Sequence, residues 1–306
     1  MNTHDTEVDP KVTWRSFLYV SVPLVLWSSS FPVVRFGLFS TQNPGGFQPG
    51  SLALLRFLIA SAAALIYLVA ARKPMPRTQD LLGLLLTGFV GISLYHFLFN
   101  YGEQQVASGA AAALVAASPV FVALFSVAFF KERLSVWGWL GVALSCSGVL
   151  IIGFMDIEGL VFDRYALALV GSAFSTALFF VLSKRFLKIY SGLQFTSYVF
   201  IAGAIPLLFF APALGADMQH ASGSALAAVV YLGLFPGLVG YAYWNKALSI
   251  MTATRLSVFL CLSPLIAAFI AWLWLGEIPT TLTVVGGIVA IAGVLIVQLR
   301  GEKQPE

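Results

Sequence analysis

Charged side chains are scarce in this chain of 306 residues. Asp, Glu, Lys and Arg together make up 10% of it, against 59% hydrophobic residues and a mean hydropathy of +0.91. Soluble domains carry about a quarter charged residues, so this chain has too few charges to cover a surface that faces water. It must instead expose apolar area to lipid. The same scarcity excludes a disordered chain, a disulfide-rich secreted module and a nucleic-acid binder.

Cysteine and histidine are also rare. The two cysteines, Cys146 and Cys261, lie in apolar runs without a CxxC motif. No second thiol lies near either of them in the sequence, so we expect both to be small hydrophobic side chains buried in helices. The sequence has three histidines and contains no HExxH, GxSxG or paired-acid motif. It therefore predicts no metal site, no cofactor and no enzyme, and an integral membrane enzyme is the disfavoured alternative class.

Apolar runs separated by polar breaks predict an all-α membrane protein with ten transmembrane helices. Each run has close to the ~20 residues that a helix needs to cross the hydrocarbon core, and none alternates as barrel strands do. The predicted spans are 17–37, 51–71, 81–99, 105–130, 135–154, 165–183, 192–212, 225–244, 255–275 and 281–299. The first is interpreted as a span and not a cleaved signal peptide, because an acidic leader precedes it and no small-residue cleavage site follows.

The distribution of basic residues predicts the orientation. With both termini in the cytoplasm, 14 of the 17 Lys and Arg residues fall on the cytoplasmic side, and Arg35, Arg56 and Arg164 are the other three. Cytoplasmic loops are enriched in Lys and Arg. We therefore predict an N-in, C-in, multi-pass protein of a bacterial-type inner membrane, with residues 1–16 and 300–306 as cytoplasmic ends.

The chain matches itself at an offset of 145 residues. The matched positions include Ser118-Pro119 with Ser263-Pro264, Glu132 with Glu277, Gly141 with Gly286, and Gly148 with Gly293. Because the repeating unit holds five spans, its second copy must lie inverted in the membrane. We therefore predict two inverted five-helix repeats, residues 17–154 and 155–299. Such repeats are typical of secondary transporters, which bind substrate near the midplane and open alternately to each side.

The matched prolines and glutamates admit more than one interpretation. Pro119 and Pro264 each remove a backbone donor within a span, which predicts either a kink satisfied by the neighbouring serine hydroxyls or a paired hinge, and both can hold. Glu132 and Glu277 lie at span ends before another helix begins. Helix capping is favoured there over proton coupling. The glycines, seven residues apart, are interpreted as helix-packing positions.

Polar and aromatic residues at membrane depth predict a central cavity. The candidate lining residues are Trp27, Ser28, Phe31, Tyr95, His96, Phe99, Asn100, Ser175, Tyr241 and Trp244. The alternative for the aromatic rings is an interfacial belt, and the alternative for His96 is a hydrogen-bonded position in the helix core. Stacking and dispersion would bind an apolar substrate side chain in such a cavity.

Arg56 is the only cation predicted well inside a span, about two turns from its outer end. It either faces the cavity, where it would attract a substrate carboxylate, or extends to the outer interface. No Asp or Glu is predicted at the centre of any span. That absence disfavours permanently cationic substrates and proton coupling through a buried acid. A neutral or zwitterionic small molecule with apolar character remains as the predicted substrate.

Two features of the sequence resemble the EamA-type family of the drug/metabolite transporter superfamily. One is Leu26-Trp27-Ser28-Ser29-Ser30-Phe31 followed by Pro49-Gly50-Ser51-Leu52-Ala53-Leu54-Leu55-Arg56-Phe57, and the other is the doubled block of Pro, Glu and two Gly. The resemblance covers nearly all of the chain after residue 16. It implies a transporter that exports amino acids and related metabolites, most similar to the aromatic amino acid exporters. An exporter of lipophilic drugs or nucleobase-like solutes, or a channel, stays open as an alternative.

Overall fold

The computed structural model describes residues 14–40, 43–106, 108–130, 134–153, 164–275 and 281–301. Its regular elements in these ranges are helical. The α-helices are α1 (Trp14–Gly37), α2 (Pro49–Ala70), α3 (Leu81–Gly88), α4 (Tyr95–Glu103), α5 (Ser108–Val115), α6 (Ser118–Phe130), α7 (Val136–Gly153), α8 (Arg164–Leu187), α9 (Gly192–Leu207), α10 (Ala211–Asp217), α11 (Gly223–Leu232), α12 (Tyr241–Ile250), α13 (Ala253–Ser257), α14 (Ser263–Leu275) and α15 (Thr281–Arg300). Two π-helices, Phe89–Leu94 and Gly233–Gly240, join α3 to α4 and α11 to α12, and 3₁₀ turns occupy Thr78–Asp80, Leu208–Phe210 and Val258–Leu262.

Six helical runs within the described ranges are long and apolar enough to cross a membrane. They are Phe17–Gly37, Pro49–Ala70, Thr78–Glu103, Arg164–Leu187, Gly192–Asp217 and Gly223–Ile250. Shorter apolar helices occupy Ser118–Phe129, Val136–Ile151, Ala253–Ala267 and Val284–Arg300. The prediction of an all-helical membrane protein is therefore confirmed.

The outer faces of the helices carry large apolar side chains. Ile66 is 70% exposed, Leu82 is 68% exposed and Phe209 is 82% exposed. Water would oppose so much exposed hydrocarbon, whereas lipid tails accommodate it. The low charge content of the sequence thus has its structural counterpart in a lipid-facing surface.

Two predicted spans are interrupted before their Ser-Pro pairs. The helix α5 ends at Val115 and α6 begins at Ser118, while a 3₁₀ segment ending at Leu262 precedes α14. Pro119 and Pro264 explain the breaks, because proline lacks the backbone donor and clashes with the carbonyl four residues back.

The serine hydroxyls do not satisfy these breaks, contrary to one of the sequence interpretations. Neither Ser118 nor Ser263 forms a side-chain hydrogen bond within the described part of the chain. At the first break the Ala116 carbonyl instead accepts a hydrogen bond from the Cys261 thiol at 3.6 Å. Cys261 is buried, and the half-buried Cys146 packs against the same apolar cluster.

Glycines bring α7 and α15 into direct backbone contact. A Cβ atom at Gly141 would lie 2.9 Å from the Gly293 carbonyl oxygen, and one at Gly148 would lie 2.5 Å from the Gly286 oxygen. Gly141 therefore faces Gly293, and Gly148 faces Gly286. The two helices run antiparallel, and small residues permit their close approach.

Residues that correspond at the offset of 145 also contact each other. The Ser145 hydroxyl donates to the Ala290 carbonyl at 3.4 Å, and Cys261 contacts Ala116 as described above. In a pair of units related by a two-fold axis, a residue meets its own counterpart only at the axis. These contacts therefore have the arrangement that a local two-fold axis produces.

The connecting segments contact each other in pairs at the helix ends. The backbone amide of Gln48 donates to the Asp217 carboxylate at 2.9 Å, and the backbone amide of Ser222 donates to the Gly45 carbonyl at 2.9 Å. A second pair joins the Arg77 amide to the Tyr190 hydroxyl at 3.1 Å. Each pair joins segments that the sequence assigns to the same side of the membrane.

Candidate functional site

A central cavity lies among the helices that carry most of the predicted site residues. Its volume is about 60 Å³, which holds the centres of roughly four to six water molecules at ~10–15 Å³ each. The lining residues come from α1, α2, the first π-helix, α4, α5, α8, α12 and the two interrupted segments. They are Trp27, Ser30, Phe31, Arg56, Gly91, Tyr95, His96, Phe99, Ala112, Val115, Ala116, Thr176, Phe179, Phe180, Tyr241, Leu260 and Ser263.

Arg56 is the cation of this cavity wall. The residue is 3% exposed, and its Nε atom has no hydrogen-bond acceptor among the described residues. Its guanidinium carbon lies 5.5 Å from the centre of the Phe57 ring, and no carboxylate of the described residues lies within ion-pair distance. A buried cation is costly unless an anion or several acceptors meet it. The side chain lines the cavity and does not extend to the outer interface, which was the alternative interpretation.

The described acidic residues all lie away from this cation, at helix ends. Asp80 accepts a hydrogen bond from the Tyr190 hydroxyl at 2.7 Å, and Asp217 accepts from the Gln48 amide. A Glu103 carboxylate oxygen lies 3.9 Å from Nε of Arg35. Each carboxylate therefore has a role in holding helix ends together and none neutralises the cavity.

His96 lines the cavity, and a backbone carbonyl holds one of its ring nitrogens. Its Nδ1 atom lies 3.0 Å from the Ile92 carbonyl oxygen. A carbonyl can only accept, so Nδ1 carries a proton, and in the neutral form of the ring Nε2 is then an acceptor. The ring packs edge-on against Phe57 at 4.4 Å and Tyr95 at 4.6 Å between centroids. These contacts fix the orientation of the imidazole.

Aromatic rings form a continuous wall around the cavity. Trp27 packs on Tyr241 at 5.2 Å and on Trp244 at 4.9 Å between ring centroids. Tyr241 in turn contacts Phe179 at 5.8 Å, and Phe31 contacts Phe99 at 5.4 Å. Tilted and edge-to-face ring pairs of this kind are mutually stabilising, so the rings form one packed surface.

The two π-helices lie at corresponding positions and each is tied to the neighbouring long helix by a side-chain donor. The Trp27 indole donates to the Pro236 carbonyl at 2.8 Å, and the Ser175 hydroxyl donates to the Val90 carbonyl at 2.6 Å. A π-helix leaves backbone groups without their usual partners, and such segments are frequent at functional sites. In this chain α1 and α8 supply the missing donors.

The structure groups the sequence-predicted site residues into two sets. Seven of them line the cavity: Trp27, Phe31, Arg56, Tyr95, His96, Phe99 and Tyr241. The other four do not line it: Ser28, Asn100, Ser175 and Trp244. Trp244 is fully buried behind Trp27, and the Asn100 amide donates to the Pro49 carbonyl at 3.0 Å. Ser28 is fully buried, and its hydroxyl has no partner among the described residues. Ser175 uses its hydroxyl on the π-helix.

Several lining residues are absent from the sequence prediction. They include Ser30, Thr176, Phe179, Phe180, Leu260 and Ser263. The offset of 145 carried one signal for them, because it pairs Phe31 with Thr176 on the two long helices α1 and α8. Pro119 and Pro264 are buried beside the interrupted segments. Glu132 and Glu277 lie outside the described residues.

Comparison with known proteins gives one family. The model of the EamA-like transporter family matches residues 14–154 and 163–299. A Bacillus subtilis protein described as "Uncharacterized transporter YdfC" is 37% identical over 96% of this chain and 94% of its own length. A "Probable terminal-alkyne amino-acid exporter" of Streptantibioticus cattleyicolor is 33% identical over 95% of this chain and 94% of its own length.

Two further similarities are more distant. A "Probable amino-acid metabolite efflux pump" of Salmonella typhimurium is 27% identical over 89% of this chain and 91% of its own length. A solved structure titled "Crystal structure of protein" superposes with a TM-score of 0.73 at 18% identity, covering 93% of this chain and 96% of that one. At that identity the solved structure shows the fold alone.

Proposed function

Because the chain belongs to the EamA-like transporter family, we propose that it exports hydrophobic amino acids and related small zwitterionic or neutral metabolites. Aromatic amino acids are included among these substrates. Export proceeds by alternating access across a bacterial inner membrane. The observation that carries this proposal is Arg56, a buried cation without an acidic partner in the described structure, in a cavity walled by aromatic rings.

The cavity chemistry suits an amino acid better than a cation or an uncharged drug. A substrate carboxylate would supply the anion that Arg56 lacks, and a guanidinium binds carboxylates in a bidentate geometry. The rings of Trp27 and Tyr241 offer flat faces to an apolar side chain. Burying such a side chain contributes roughly 1.5–3 kcal/mol. A permanently cationic solute would instead be repelled by Arg56.

The names of relatives support this substrate class. The Streptantibioticus protein is named as a probable amino-acid exporter and the Salmonella protein as a probable amino-acid metabolite efflux pump. Both align with nearly the whole of this chain. The proposal extends that class to this protein and adds the physical reason for it.

The mechanism that we propose uses ten spans arranged as two inverted repeats, residues 17–154 and 155–299, with both termini in the cytoplasm. The antiparallel contact of α7 with α15 and the contacts between corresponding residues support this arrangement. The pairing of connecting segments at the helix ends also agrees with it. Rocking of one unit against the other would open the cavity to each side in turn.

The interrupted segments are the proposed hinges of this motion. Pro119 and Pro264 follow breaks at corresponding positions, and Ala116, Leu260 and Ser263 beside them line the cavity. A break in the backbone hydrogen-bond pattern lets one half of a helix tilt relative to the other. Substrate contact would thereby be coupled to movement. Glu132 and Glu277 retain their proposed role as helix caps.

Counterflow in proteoliposomes tests the transport activity. Vesicles loaded with unlabelled phenylalanine or leucine should take up the same labelled amino acid faster than protein-free vesicles, with saturable kinetics. Rates equal to the protein-free control across a broad amino acid panel would reject the substrate class. Flux without saturation or counterflow would indicate a channel, and acceleration only by drugs or nucleobases would favour that alternative substrate class.

Thiol labelling in whole cells tests the orientation. In a protein whose two native cysteines are replaced by alanine, Met218→Cys should react with a membrane-impermeant maleimide. Lys188→Cys should react only after the cells are permeabilised. Both positions are exposed, so failure to label through burial is not expected. Labelling of both from the same side would contradict the proposed alternation of spans.

A further inference from the structure

Two of the hydroxyls that line the cavity, those of Ser30 and Thr176, are restricted to one hydrogen-bonding role. The Ser30 hydroxyl donates its proton to the Trp27 carbonyl at 2.6 Å, and the Thr176 hydroxyl donates to the Ser172 carbonyl at 3.1 Å. Each hydroxyl has a single proton, and a carbonyl can only accept. Both oxygens therefore present only lone pairs to the cavity. They act there as acceptors.

His96 adds a third acceptor. Its Nδ1 proton is held by the Ile92 carbonyl, which leaves the Nε2 lone pair of the neutral ring. Nε2 forms no hydrogen bond with the described residues. The cavity thus combines the charged Arg56 guanidinium with three uncharged groups that can only accept, while the Tyr95, Tyr241 and Ser263 hydroxyls, which also line it, can donate or accept.

The donor and one acceptor contact a common aromatic ring. Arg56 and His96 both pack against the ring of Phe57, at 5.5 Å from the guanidinium carbon and 4.4 Å between ring centroids. Ser30 and Thr176 line the same cavity of about 60 Å³, so these four polar groups share one cavity. In an α-amino acid the carboxylate and the ammonium also sit on one carbon atom and must be bound next to each other.

Resting on the proposed export function, we propose that Ser30, Thr176 and His96 form a subsite for the substrate's primary ammonium group beside the carboxylate site at Arg56. An ammonium has three protons to donate, which matches three acceptors. A carboxylate at that position would offset more of the cost of burying the ammonium, but it would also neutralise Arg56 directly. Neutral acceptors bind the ammonium while leaving Arg56 available for the carboxylate.

This arrangement restricts the substrate class to free α-amino acids. Acylation of the amine removes its charge and two of its protons and adds bulk within the cavity. Deamination leaves three buried acceptors without a donor, and each unsatisfied buried polar group opposes binding. Removal of the carboxylate charge, as in an ester or amide, leaves Arg56 unneutralised. Both charged groups of the substrate are therefore required.

A matched series of competitors tests the inference in the counterflow assay with the full-length protein. Phenylalanine is compared with N-acetylphenylalanine, 3-phenylpropanoate and phenylalanine methyl ester, and the leucine series is run in parallel. Each altered compound should compete about tenfold or more weakly than the parent amino acid, as expected for the loss of hydrogen bonds to a charged group. Equal competition by the acetylated or deaminated compound would overturn the inference.

Variants assign the effect to the subsite. In the Ser30→Ala and Thr176→Val double variant, the inhibition constants of 3-phenylpropanoate and phenylalanine should differ by a ratio of no more than about threefold. The matched control is Ser29→Ala with Thr87→Val, because these hydroxyls also donate to helix carbonyls, at 2.8 Å and 2.7 Å, but do not line the cavity. The control should keep the full ratio. A ratio that is unchanged in the double variant, or narrowed equally in both proteins, would overturn the subsite.

The outcomes separate this inference from the proposed function. If no amino acid is transported, the export function itself is wrong. If phenylalanine or leucine is transported but the amine makes no difference to competition, export stands and the ammonium subsite is wrong. The inhibition ratio is measured within each protein, so a variant that is merely less stable or less active does not change it.

Discussion

Replacement of Gly148 by alanine should destabilise the protein through the contact of α7 with α15. The new Cβ atom would lie 2.5 Å from the Gly286 carbonyl oxygen and 2.9 Å from the Ala290 Cα atom, and it would also contact the Ala290 amide nitrogen. All three neighbours are backbone atoms, so no side chain can rotate away. The helices would have to separate by about 1 Å to restore contacts near ~3.5 Å.

The expected magnitude follows from this overlap. Excess volume in a well-packed interior typically costs about 1–3 kcal/mol. For a chain of this size each kcal/mol corresponds to roughly 2–4 °C in Tm. Gly148→Ala should therefore lower the Tm by about 2–12 °C. The measurement is a thermal unfolding scan of the purified protein in detergent, followed by tryptophan fluorescence.

Gly215→Ala provides the matched control. Gly215 lies in α10, and a Cβ atom there would have no heavy atom within 4 Å. The same chemical change at that site should leave the Tm unchanged or raise it slightly, because alanine reduces the conformational freedom of the unfolded chain. Equal Tm values for Gly148→Ala and Gly215→Ala would refute the close backbone contact between α7 and α15.

Three further predictions concern single polar contacts. Arg56→Gln should raise the KM for phenylalanine counterflow about 10- to 100-fold, because the substrate carboxylate loses its charged hydrogen-bond donor. The control Lys188→Gln, at an exposed position, should leave the KM unchanged. Equal KM values in the two variants would contradict the role of Arg56 in the cavity. Trp27→Phe should lower the free energy of unfolding by about 1–3 kcal/mol, because the Pro236 carbonyl in the π-helix loses its donor. An unfolding curve equal to that of the wild type would argue against that hydrogen bond. Tyr190→Phe should lower the free energy of unfolding by a similar amount, because the buried Asp80 carboxylate loses its hydroxyl donor. The KM in the counterflow assay should stay unchanged. A raised KM would place this pair closer to the substrate path than the structure does.

The sequence predicts the helical architecture well because lipid imposes a strong and simple constraint. Runs of about 20 apolar residues have few alternatives to a membrane-spanning helix. Helix interruptions are harder to predict. The Ser118-Pro119 and Ser263-Pro264 pairs locate them, but the donor that satisfies the first break is Cys261, which is remote in sequence. The π-helices likewise depend on donors from other helices, and no local pattern specifies them.

The cavity lining is only partly predictable because a uniformly apolar helix does not reveal its rotation. Ser28 and Ser30 are alike in the sequence, yet two residues differ by about 200° around a helix, and only Ser30 lines the cavity. Phe179 and Phe180 resemble the lipid-facing phenylalanines in composition and context. In soluble proteins polar residues mark the outer face, whereas here both faces are apolar. Arg56, His96 and Trp27 were predictable because their polar atoms cannot face lipid.

The contact of Ser145 with Ala290, its own counterpart at the offset of 145, bears on the ancestry of the chain. If the two halves descend from one five-helix gene, its product assembled as a homodimer. Every substitution at the dimer interface then changed both subunits at once. Fusion of the two copies released this constraint. The present asymmetry, a thiol at Cys261 opposite a methyl group at Ala116, is a combination that no symmetric pair could have sampled.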